Sequence, residues 1–98
     1  MVVSLEDVFQ KIEENREEIE ELGVEELGVF GSVARNQASE GSDIDLLVKF
    51  KKEEKTYRNW MALYQLLEQI FETKIDLATE KSLKPAIKER VEKEITYA

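Results

Sequence analysis

Ninety-eight residues, 42% hydrophobic and 37% charged, have the composition of a globular protein with one small core, so residues 1–98 read as a single domain with no room for a second. There are no Cys and no His; that removes disulfides, thiolate and imidazole chemistry and the usual zinc ligands, and leaves oxygen donors, which favour Mg²⁺ or Mn²⁺. The net charge of −8 opposes a nucleic-acid backbone and no Lys/Arg cluster interleaved with aromatics is seen, so no direct nucleic-acid binding is expected.

In chain order, Ser4 reads as a helix N-cap with Asp7 three residues on, a variant of the capping box. Leu5, Phe9, Ile12, Ile19 and Leu22 form one stripe of a helix from Leu5 to Leu22, interrupted by polar residues around Asn15 and Arg16 and ended by Gly23. This first segment holds most of the acidic surplus, which reads either as a solvated helix face or as a docking surface for a basic partner. Val24 to Phe30 reads as a strand, Val33-Ala34-Arg35 as a short helical turn, and Ile44 to Phe50 as a second strand. After the charged connection Lys51 to Lys55, Thr56 caps a helix whose buried face is Tyr57, Trp60, Met61, Tyr64, Leu67 and Phe71. Thr73 to Ala78 is a third strand. Pro85 opens a last helix reaching Ile95, with Leu83, Ile87, Val91 and Ile95 along its apolar side. The order predicts an α/β (α+β) fold, a small mixed β-sheet of three or four strands with helices packed against it.

Chemistry concentrates at three places. Gly31-Ser32 ends the first strand: glycine permits a sharp turn and the close approach of an anion, and Ser32 both caps the following turn and offers its hydroxyl to a phosphate oxygen. Taken alone the pair is weak evidence and reads first as an ordinary turn, since Gly-Ser is a common turn dipeptide. Arg35, one turn on, reaches the same anion or pairs with Glu40 on the surface. Asp43 and Asp45, two apart on an extended segment, leave one face about 6.6 Å apart along the strand, while Ile44, Leu46 and Val48 enter the core. Two carboxylates so placed repel unless a cation lies between them, so they read as a metal site or as a charged strand end. Asp76 lies between Ile75 and Leu77, where a carboxylate is expensive unless paired or bound to metal. If the second and third strands are neighbours, three acids converge before Gly31-Ser32, an arrangement for two-metal phosphoryl or nucleotidyl transfer.

The run Gly31-Ser32-Val33-Ala34-Arg35, followed by Ser42-Asp43-Ile44-Asp45-Leu46-Leu47-Val48, resembles the signature of the minimal nucleotidyltransferases, the small bacterial and archaeal branch of the DNA polymerase beta superfamily. Ten residues separate Ser32 from Asp43, as that pattern requires, and Ile75-Asp76-Leu77 stands where the family keeps its third carboxylate. The resemblance implies a nucleotidyltransferase core in which Gly31 and Ser32 hold the triphosphate of ATP. It further implies that Asp43 and Asp45 ligate two Mg²⁺ ions, with Mn²⁺ an alternative, and that Asp76 ligates the catalytic ion and helps activate the attacking oxygen. Arg35 matches a frequent basic position of less settled role.

The same resemblance implies a partner. Many members are the antitoxin half of a pair with a HEPN-domain ribonuclease toxin, and some transfer AMP to a tyrosine of that toxin. Three function classes follow: an adenylyltransferase acting on the toxin, a catalytically idle antitoxin that neutralises by binding alone, and a transferase for a small hydroxylated molecule such as an aminoglycoside. The complete carboxylate set favours the first over the second, and the lack of an added domain counts against the third. No apolar run approaches the roughly 20 residues of a membrane span and the start lacks a secretory pattern, so no membrane association and a cytoplasmic location are expected.

Overall fold

A computed structural model of the chain describes residues 4–38 and 43–98. Helix α1 spans Leu5–Glu14 and opens on the expected capping box: Ser4 Oγ accepts the Asp7 N–H at 3.1 Å and Asp7 Oδ2 accepts the Ser4 N–H at 3.3 Å. The polar interruption is a true break. Asn15 Nδ2 donates to the Lys11 carbonyl at 2.9 Å, and the chain resumes as α2, Arg16–Glu21. Strand β1 (Val24–Phe30) follows Gly23, then the one-turn helix α3 (Gly31–Ala34), strand β2 (Ile44–Phe50) and helix α4 (Tyr57–Phe71). Thr56 caps α4, its side chain accepting the Asn59 N–H at 3.1 Å. Strand β3 is Ile75–Ala78, two residues shorter than expected; a 3₁₀ turn over Glu80–Ser82, helix α5 (Pro85–Glu94) and a two-residue strand β4 (Thr96–Tyr97) complete the chain.

The four strands form one mixed sheet in the order β3-β2-β1-β4. Strand β2 runs antiparallel to β1 and parallel to β3, with α4 as the crossover between β2 and β3. Along β2, Ile44, Leu46 and Val48 are buried and alternate with the half-buried or exposed Asp45, Leu47 and Lys49, so one face meets the core as the pattern predicts. Val29, Ile75 and Leu77 join that core from the neighbouring strands, and Val8, Ile12, Ile19, Leu63 and Leu67 from the helices. Each fully buried aliphatic side chain of this kind contributes roughly 1.5–3 kcal/mol.

Three expectations about the helices need correction. The face of α4 is rotated: Leu63 and Leu67 are fully buried, Trp60, Tyr64 and Phe71 only partly, and Tyr57 is 80% exposed. A stripe weighted by aromatics misplaces the centre because rings reach the core from the flanks, whereas Leu63 sits over it. In α1 the buried residues are Val8 and Ile12, with Leu5 and Phe9 packed at the margin. In α5 only Val91 is buried; Leu83 precedes the helix, Ile87 is 48% exposed, and Ile95 lies beyond its end. Ile95 instead lies on the second sheet face, over Gly28, where an added Cβ would meet its Cδ1 at 2.6 Å. Among the described residues no helix is long and apolar enough to cross a membrane.

Candidate active site

Strand pairing brings two of the three expected acids together. The parallel register of β2 and β3 sets Asp45 opposite Asp76 on strands about 4.8 Å apart. Asp43, exposed, precedes β2 by one residue. On the other side of β2, Phe30 is the register partner of Asp45, so the residue after it, Gly31, turns directly beside that carboxylate.

Gly31 is required twice. Its φ of +73° lies in the left-handed region, and a Cβ there would collide with the Asp45 carboxylate. The turn also differs from expectation in one residue. Helix α3 begins at Gly31 itself, with Phe30 in the N-cap position and no side-chain cap, so Ser32 is not the cap. It is the second residue of the turn, half-buried, and its carbonyl accepts the Gln37 N–H at 2.8 Å. The chain reverses at the glycine because extended Phe30 can pass straight into a left-handed residue.

Asp45 carries the electrostatic strain of the site. Its carboxyl is raised to about 6, first by burial, then by the charge of Asp76 and a hydrogen bond with it, and less by the charge of Asp43, while Arg35 pulls the other way. Burial therefore weighs on Asp45 and not, as expected, on Asp76, which is exposed although Ile75 and Leu77 on either side are buried. Alternation explains this, since the odd residue of an apolar triplet faces away from the core.

Among the described residues no group of three His, Cys, Asp or Glu side chains is drawn into a finished cation cage. The donor set nonetheless suits a hard divalent cation. All donors are oxygens, two carboxylates share one register position, and a positive charge among them would offset the burial and repulsion that raise Asp45.

One contact of the Gly31–Arg35 turn has no counterpart in the sequence analysis. Glu94, the last residue of α5, accepts the Gly31 N–H on Oε1 at 3.1 Å and Arg35 Nη1 on Oε2 at 2.7 Å. Burial alone would raise its carboxyl, but the bonds from Arg35 and Gly31 and the Arg35 charge hold it below the usual carboxylate range. Glu40, the surface partner considered for Arg35, lies outside the described residues, as does Ser42 of the motif. Glu94 left no signal in sequence: it is one acid in an amphipathic helix rich in them.

A glycine-closed turn beside a carboxylate pair on adjacent strands is an arrangement chemically suited to a phosphate ligand and a divalent cation. A family model described as nucleotidyltransferase domain matches residues 10–98, and the chain belongs to that family. The protein adenylyltransferase MntA of Thermococcus cleftensis is 35% identical over 97 residues, covering 98% of this chain and 97% of its own. The solved structure of a minimal nucleotidyltransferase superposes with a TM-score of 0.81 at 33% identity, covering 96% of this chain and 95% of the other. A crystal structure of a toxin–antitoxin pair with AMP-PNP shares the fold, with a TM-score of 0.64 at 18% identity over 92% of this chain and 68% of that one. The expected nucleotidyltransferase core is thus confirmed, and membership implies metal-dependent use of ATP.

Proposed function

We propose that this nucleotidyltransferase moves AMP from ATP to a tyrosine hydroxyl of a HEPN-domain ribonuclease toxin and so acts as its antitoxin, with residues 1–98 as one catalytic unit. The observation that carries this reading is the register pairing of Asp45 with Asp76 immediately beside Gly31. The likeness to a protein adenylyltransferase supports a protein acceptor, and the fold shared with a toxin–antitoxin pair supports the partner.

In this reading Gly31, Ser32 and Arg35 hold the triphosphate: the glycine leaves room for it, Ser32 donates its hydroxyl, and Arg35 supplies charge. Asp43, Asp45 and Asp76 hold two Mg²⁺ ions, which when bound neutralise phosphate charge and lower the proton affinity of the acceptor oxygen. The acceptor oxygen attacks the α-phosphorus in line, the bond from that phosphorus to the bridging oxygen breaks, and pyrophosphate leaves with the electron pair. Asp76, which is exposed, would orient the acceptor hydroxyl and pass its proton toward solvent. A phenol with a reference pKa near 10 needs no histidine once its proton affinity is lowered.

The test is to combine the co-purified partner with ATP and Mg²⁺, weigh both chains by mass spectrometry and assay RNA cleavage. An AMP increment on the partner with loss of its ribonuclease activity is expected, and Asp45→Asn should lose both. Inhibition that survives Asp45→Asn without added mass would instead identify an antitoxin that works by binding alone. An AMP increment on a small hydroxylated acceptor and none on the partner would identify the third class.

A further inference from the structure

Gly31 and Arg35 bound the phosphate turn, and one carboxylate ties both. Glu94 lies 63 residues from Gly31 in sequence, yet its two oxygens are divided between the two ends of the turn: Oε1 takes the Gly31 N–H and Oε2 takes Arg35 Nη1. Its side chain is only 15% exposed, and charge-assisted bonds in such a setting are the strong ones. Arg35 Nε is held as well, donating to Gln37 Oε1 at 3.2 Å. The guanidinium is thereby fixed close enough to Asp45 for its charge to be felt there.

The backbone that follows anchors Glu94 in turn. Directly after it, β4 pairs antiparallel with β1, Thr96 opposite Val29 and Tyr97 opposite Gly28, and the Ala98 N–H reaches the Leu27 carbonyl at 2.9 Å. The strand that delivers Gly31 to the site is therefore gripped by the segment that delivers Glu94.

We propose that Glu94 is a positioning residue for nucleotidyl transfer: touching neither ATP nor acceptor, it holds the Gly31 amide and the Arg35 guanidinium in the conformation that receives the triphosphate. The proposal rests on the reading of Gly31, Ser32 and Arg35 as the phosphate site. A carboxylate is needed because both partners are donors. Glutamine has one acceptor oxygen, and its NH₂ would face whichever donor is left, so it satisfies only one of the two.

The experiment compares Glu94→Gln, Glu94→Ala, Arg35→Ala and the Glu94→Ala/Arg35→Ala double variant in AMP transfer, and follows amide hydrogen exchange in ligand-free protein. Glu94→Gln should raise KM for ATP by about 10-fold with kcat changed less than about twofold, since the loss falls on binding geometry and not on the reacting atoms. In the Arg35→Ala background, Glu94→Ala should cost clearly less than it does alone, because only its tie to the Gly31 amide is left to lose. Exchange at Gly31 to Arg35 should quicken in Glu94→Gln while amides of α4 keep their protection, which separates loss of the bracket from loss of the fold. Unchanged KM with unchanged exchange, or fully additive effects of Glu94→Ala and Arg35→Ala, would overturn the proposal. Wild-type protein that neither binds nor uses ATP would remove the phosphate-site reading and the catalytic role with it. The exchange data would then still judge the bracket by itself.

Discussion

The two faces of the β2–β3 pair use one backbone for opposite ends. On the covered face Ile44, Leu46, Ile75 and Leu77 lose nearly all contact with water; on the other, one residue out of phase, Asp45 stands opposite Asp76. The covered face gains stability from every residue added to it, whereas on the open face burial and the charges of Asp76 and Asp43 raise the proton affinity of Asp45. Rigidity made on one side is spent holding an unfavourable charge arrangement on the other. The sheet can hold acids at a fixed spacing because their positions are dictated by the burial of their neighbours.

That contrast breaks most completely if a carboxylate is removed from the open face. Asp45→Asn or Asp43→Asn should lower AMP transfer by at least about 10³-fold, the order expected when a charge-stabilising group of a reaction centre is lost. Folding should survive, because the covered face is untouched. Asp76→Asn should reduce kcat more than it weakens nucleotide binding. Rates within tenfold of wild type for Asp45→Asn, measured on protein with native circular dichroism, would detach the open face from catalysis.

The turn beside that face offers a graded pair. Gly31→Val places a β-branched side chain at φ +73° and against the Asp45 carboxylate, so backbone strain of about 1–3 kcal/mol adds to an overlap that neither partner can relieve without moving. Transfer should fall by more than about 100-fold, with a lowered melting temperature. Ser32→Ala removes one hydroxyl and leaves the main chain in place, and should cost about 1–3 kcal/mol of transition-state binding. Similar small losses from both substitutions would place the phosphates away from the turn.

Residues that face the core announce themselves by period, and Asp45 and Asp76 by interrupting an apolar run. The alternation of Ile44, Leu46 and Val48 with Asp45 gave both the strand and its orientation, and the interval from Ser32 to Asp43 gave the family. Glu94 was beyond reach because its meaning lies in a contact across 63 residues, and nothing local distinguishes it from Glu92 or Glu89. Strand β4 was missed for another reason. Thr96 and Tyr97 have strand-like side chains, but two residues are too short a run to register against a preceding helix. Asp76 stands in register with Asp45, yet the burial expected of Asp76 falls on Asp45, because an apolar triplet does not tell which side of a short strand is open.

The smallest expected effect tests the contrast between the faces in its thermodynamic form. In metal-free protein the Asp45 carboxyl, ordinarily near 3.8, is raised to about 6 by burial and by Asp76 and Asp43. Between those values the folded state binds more protons than the unfolded chain, so this group adds stability as pH falls through about 6 and withdraws it as pH rises. Asp45→Asn carries no such proton. Its melting temperature with chelator present should exceed that of wild type most above pH 6, and the gap should close toward pH 4. The difference amounts to about 1 kcal/mol at most, since Asp45 is only half-buried and water screens it. Adding Mg²⁺ at pH 7.5 should then raise the wild-type melting temperature and not that of Asp45→Asn, because a cation bound only by the folded carboxylates stabilises that state by mass action. A gap between the two proteins that stayed constant from pH 4 to pH 8, or an equal response of both to Mg²⁺, would mean that the carboxylates of the open face do not repel as their register requires.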